Sequence, residues 1–114
     1  MSAKHRYAEA ADFLRGKIPE ARALVGPRDW LTLSLREARC MSIAWDPEAN
    51  AAAVRGIVGE LEDLCRVMRQ VYGATHPDFL MCQNYLKCAR GRLAGKPYMT
   101  KRGGTYTVIP AVRE

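Results

Sequence analysis

Residues 72–91 read YGATHPDFLMCQNYLKCARG, and the role of the His76-Pro77 pair within them decides how the chain divides. Upstream, Val54, Ile57, Val58, Leu61, Leu64, Cys65, Met68, Val71 and Tyr72 recur at steps of three and four, the period of one apolar stripe on a long helix. Gly73 follows the last of them, where a helix favours a left-handed residue. Downstream, Phe79, Cys82, Leu86, Ala89 and Leu93 form a second stripe, with Leu80 and Tyr85 beside it. Pro77 suits the first turn of that second helix because its missing N–H has no intrahelical partner there. Asp78 adds negative charge at the positive end of the helix dipole, and Thr75 or His76 caps it. The pair is therefore predicted to start a helix.

Two chemical readings of His76 are weaker. As a general base it needs a nucleophile and an orienting acid; Asp78 is close in sequence, but no second motif completes a triad. As a zinc ligand it would recruit Cys82 or Cys88, which lie on different helical faces and leave a fourth ligand unsupplied. Neither paired acids, a glycine-rich phosphate loop nor a nucleophile with its base can be assembled elsewhere. No catalytic residue, metal ligand or cofactor site is assigned, and the chain is read as non-enzymatic.

The same grammar extends outward. Asp46-Pro47 reads as the N-cap and first residue of the long helix, which is thus predicted over Asp46 to Tyr72. Gly56 and Gly59 each weaken it by about 1 kcal/mol relative to alanine, which suggests that a neighbouring helix approaches closely there. Tyr7 to Leu24 is amphipathic through Ala10, Phe13, Leu14, Ile18, Ala21 and Leu24 or Val25, with Pro19 expected to bend or divide it and Gly26-Pro27 to end it. Asp29 is the next cap. Leu31, Leu35, Ala38 and Trp45 lie on one side of the helix that follows, with Trp30, Leu33 and Met41 elsewhere, so that helix is sandwiched. Four helices result.

Composition supports a single folded domain. A chain of 114 residues buries about two thirds of the surface its unfolded form exposes. With 48% hydrophobic and 26% charged residues it is too apolar for a disordered segment. No stretch approaches the roughly 18 apolar residues of a membrane span, and MSAKHRYAEAADF at the N-terminus has no apolar run of a signal peptide. Cys40, Cys65, Cys82 and Cys88 are irregularly spaced and read as reduced core thiols, hence a cytoplasmic or other reducing compartment. Charge is uneven: residues 1–79 hold 11 Lys/Arg and 11 Asp/Glu, whereas residues 80–113 hold Lys87, Arg90, Arg92, Lys96, Lys101, Arg102 and Arg113 and no acid. That basic third favours an acidic protein face, an anionic membrane surface or nucleic acid; a merely solvated tail is the plain alternative.

Gly26 and Gly73 stand 47 residues apart, and the stretches LVGPRDWLTLSLREA and VYGATHPDFLMCQNYL share a helix end, a glycine, a polar step, an aspartate and a new helix. With this repeat in view, YAEAADFLRGKIPEARALVGPRDWLTLSLR, WDPEANAAAVRGIVGELEDLCRVMRQVYGATHP and FLMCQNYLKCARGRL resemble the tetratricopeptide repeats of the kinesin light chain kind. There a helix ending in LG is followed by PxHPDTL and the next helix. The resemblance covers about residues 6–93. It implies an all-α fold of antiparallel helix pairs, about four helices stacked as a short superhelix with a concave face. In that family an asparagine eight residues after the histidine of HPD holds a bound peptide's backbone, and Asn84 occupies this place. Ala38 stands where the preceding helix would carry its counterpart and Lys87 where alanine is usual, so the implied groove is incomplete.

The chain thus divides into a helical domain, residues 1–94, and a basic tail, residues 95–114. Arg102-Gly103-Gly104-Thr105 signals a turn and Thr105 to Ile109 has strand propensity, so the tail is expected as a hairpin or as a strand added to a partner. Four helices are few for a repeat stack, whose ends need covering by self-association, by a long N-terminal helix folded back or by a larger assembly. The expected function is an adaptor or small structural subunit binding protein partners. Its contacts are Gln83, Asn84 and Lys87 on the helical face and Arg90, Arg92, Lys96, Tyr98, Lys101, Arg102 and Tyr106 towards the tail. The alternative is an RNA- or DNA-associated protein, with the basic residues on phosphates and Tyr98 or Tyr106 stacking on bases.

Overall fold

Four helices form close to where the apolar periodicity places them: α1 (Ala3–Val25), α2 (Trp30–Ala44), α3 (Ala51–Tyr72) and α4 (Pro77–Leu93). Two strands follow, β1 (Tyr98–Arg102) and β2 (Thr105–Ile109). The computed structural model describes residues 3–102 and 104–112, without the side chains of residues 3–5 and 102. The chain is an all-α fold finished by a C-terminal hairpin. None of the described helices is long and apolar enough to cross a membrane.

Local chemistry accounts for the ends. The Asp29 carboxylate accepts from the N–H of Leu31 at 2.9 Å and so caps α2. His76 caps α4, its Nδ1 accepting from the N–H of Asp78 at 3.1 Å, with Pro77 in the first turn. Gly26 and Gly73 end α1 and α3 with φ of 97° and 98°, where a side chain would be strained. The predicted start of α3 is corrected. Asn50, not Asp46, is its N-cap, accepting from the N–H of Ala53 at 2.8 Å. Asp46 instead holds a turn, its carboxylate accepting from Glu48 N–H at 2.8 Å and its carbonyl from Ala49 N–H at 3.1 Å. Asp-Pro fits the first two positions of a turn as well as a helix start, and the second cap candidate, four residues on, takes the helix. Pro19 does not divide α1, which runs through it.

Helices α1 and α2 form one hairpin, α3 and α4 another, and α2 joins them by packing on both α3 and α4. Leu33, Cys40 and Ala44 of α2 meet Val54, Ile57, Leu61, Leu64 and Met68 of α3 and Phe79, Cys82, Tyr85, Cys88 and Ala89 of α4 in one core. The sandwiched helix is thus α2. Arg36, 6% exposed, ties α2 to α3: Nε donates to Glu60 at 2.7 Å and Nη2 to Asp63 at 2.9 Å. The hydrogen bond from Arg36 is the main cause that holds the Asp63 carboxyl below its ordinary range. Gly56 and Gly59 correct another expectation. Both are exposed, and among the described residues no atom beyond their own stretch of helix backbone lies within 4 Å of where a Cβ would stand, so none of the described helices approaches them.

The strands pair antiparallel from Tyr98 opposite Ile109 to Arg102 opposite Thr105. Ile109 is buried, and Tyr98 and Val112 pack against the helical core. The hairpin's inner end therefore lies on α4, while residues 104–108 are exposed.

Candidate functional site

Helix α4 turns Gln83, Lys87 and Arg90 to solvent along one line, at steps of four and three residues. After Leu93 the chain reverses: the N–H of Ala94 donates to Arg90 O at 3.0 Å and that of Lys96 to Gly91 O at 2.9 Å. This brings Lys96, Pro97 and Tyr98 back beside the helix. Between the two runs is a groove of about 560 Å³, with the half-buried Leu86 and Gly91 as its floor and Gln83, Lys87, Arg90, Ala94, Lys96, Pro97 and Tyr98 around it. Five residues nominated from the sequence thus meet at one place.

The rim is cationic. Arg90 Nη2 lies 3.0 Å from Glu62 of α3, in a pair exposed on both sides, which is worth little in water and leaves the guanidinium available. Lys87 and Lys96 have no carboxylate partner among the described residues. Tyr98 is half-buried, and burial pushes its phenol up, with the Cys88 thiol adding to this. The arrangement suits an apolar side chain seated on the floor with negative charge beside it.

The other nominated residues fall elsewhere. Asn84 is exposed on α4 but does not line the groove. Lys101 and Tyr106 share the outward face of the hairpin, the ammonium 5.3 Å from the ring centroid. The Arg102 side chain and Arg113 lie outside the described residues. Arg92 is corrected outright: it is fully buried and cannot reach a partner. Its Nε donates to Pro110 O at 2.8 Å and its Nη1 to Ala44 O at 2.7 Å, while its own carbonyl accepts from Val112 N–H at 3.2 Å. It fastens the tail to the end of α2. Sequence order held the signal, because Arg92 stands seven after Tyr85 and three after Ala89, in line with buried positions.

A second polar feature escaped the sequence reading. Glu37 occupies the buried line Leu33–Cys40–Ala44 of α2, and its Oε2 is buried without a hydrogen-bond partner among the described residues. Burial, then the nearby charge of Asp78, raises its carboxyl to about 7. The Tyr72 hydroxyl is likewise buried and, among the described residues, unpaired, and its ring stacks on His76 with centroids 4.5 Å apart. An acid at helical spacing within an apolar stripe was the available signal. The thiols are core groups: Cys65 Sγ lies 3.1 Å from Cys82 Sγ, and burial pushes Cys40 up to about 12 and Cys88 to about 11. Among the described residues no three His, Cys, Asp or Glu side chains gather in a way that could hold a metal ion.

No family model, curated protein or solved structure matches the chain.

Proposed function

We propose that the chain is a non-enzymatic interaction module, a short helical stack of the tetratricopeptide kind, which binds an acidic segment of a protein partner in the groove between α4 and β1. The observation that carries this is the convergence of Lys87, Arg90 and Lys96 around an apolar floor. Opposite charge speeds encounter and selects the partner, while a buried apolar side chain supplies most of the affinity. Asn84, beside this rim on α4, is available to a backbone that extends beyond it.

Selection of random peptides on the immobilised chain is expected to enrich sequences with Asp or Glu flanking one bulky apolar residue. The Lys87→Glu/Lys96→Glu double variant is expected to weaken the selected peptides at least about tenfold. Peptides held equally well by that variant would move the site away from the groove. The nucleic-acid reading draws on a different observation, the exposed Lys101 and Tyr106 on the hairpin. It predicts single-strand binding that drops steeply with salt and is abolished by Tyr106→Ala rather than by the groove variant.

A further inference from the structure

Helix α1 is the least covered element: among the described residues it packs on α2 alone. Its free face nevertheless carries large apolar groups, with Phe13 63% and Leu24 81% exposed. Between them Lys17 and Glu20 complete a line at steps of four, three and four residues. All four border a groove of about 310 Å³ together with Leu31 and Leu35 of α2. Steps of four and three make the seam of a coiled coil, the stripe through which two helices pack.

The order apolar, cation, anion, apolar is the same kind of pattern after reversal. We propose that this face is the interface of an antiparallel, two-fold homodimer in which α1 packs on α1 of a second copy. A two-fold axis passing between Lys17 and Glu20 places Phe13 against the second copy's Leu24 and Lys17 against its Glu20, and each contact is made twice, as an isologous interface requires. Pairing of such positions is the arrangement of antiparallel coiled coils, and a polar layer within an apolar seam fixes register. The occupant is a second copy because the seam's charges match those of its own reversed sequence. From Arg6 to Val25, α1 carries Arg6, Arg15, Lys17 and Arg22 against Glu9, Asp12 and Glu20, close to balance. The two charges on the seam itself, Lys17 and Glu20, are complementary under the two-fold, while Arg15 and Arg22 lie on the opposite side of the helix by helical spacing. Within one chain Lys17 and Glu20 already touch at 3.3 Å, with side chains 46% and 68% exposed, so both are free to exchange partners across the interface. Pro19 points away from the seam by helical spacing and does not obstruct it.

The experiment is sedimentation equilibrium of the full chain and of charge variants. Wild type is expected to dimerise below roughly 100 micromolar. Lys17→Glu and Glu20→Lys are each expected to raise Kd at least about tenfold, because each creates two like-charge contacts. The double variant K17E/E20K restores the dimer. An equimolar mixture of the two single variants forms a heterodimer, which also shows that both are folded. A monomeric wild type, a dimer indifferent to the single changes, or a double variant that stays apart would each overturn the proposal.

Discussion

Glu37 shows how one residue sets a pH response. Its folded carboxyl keeps a proton up to about 7, whereas an unconstrained glutamate releases it near 4.5. Between those values the folded state binds more protons than the unfolded one, so the stability contributed by Glu37 is complete below about 4.5 and is lost as pH rises through about 7. Asp63 works in the opposite sense: its carboxyl is depressed, chiefly by the Arg36 hydrogen bond, and its contribution disappears in acid. The difference between wild type and Glu37→Gln therefore isolates the effect. Thermal unfolding across this range is expected to show the variant gaining on wild type as pH rises, with the two closest in mild acid. Parallel curves would mean that the carboxyl is already ionised in the fold.

At the scale of the element, α3 is the clearest case of sequence dictating structure and also of its limit. Nine apolar residues on one stripe fixed the helix and its buried face, and the glycine after Tyr72 fixed its end. Its start was misjudged because Asp46 and Asn50 are both competent caps, and only the turn closed by Asp46 decides between them. In α4 the apolar pattern suggested Phe79, Cys82, Leu86, Ala89 and Leu93 as the inward face. Phe79, Cys82 and Ala89 are buried and Leu86 and Leu93 pack half-buried against the core, but Tyr85, Cys88 and Arg92 are buried beside them. Two adjacent faces of that helix turn inward, the second because the end of α2 and the tail cover it. Gly56 and Gly59 have empty surroundings, so Gly56→Ala and Gly59→Ala are each expected to stabilise the chain by about 0.5–1 kcal/mol, measured by urea denaturation. A loss from either would reveal a partner helix on that face.

Over the whole molecule, the helical hairpins and their order were legible, and so was the C-terminal hairpin. The gathering of Lys87, Arg90, Lys96 and Tyr98 at one groove was not, because it depends on the reversal after Leu93. Arg92 makes that reversal a property of the entire fold, since one guanidinium joins the end of α2, α4 and the tail through the carbonyls of Ala44 and Pro110. A lysine has no fork with which to satisfy both. Arg92→Lys is expected to cost about 2 kcal/mol, read by urea denaturation, and to open the segment between Gly95 and Pro110 to protease. Unchanged stability with an equally resistant tail would show that the guanidinium is dispensable. The same bond binds the chain's future as well as its shape. A descendant that shed the tail would be left with a buried cation deprived of an acceptor, and one that replaced the arginine would have a tail without its fastening. Descent should therefore keep the two together or lose them together.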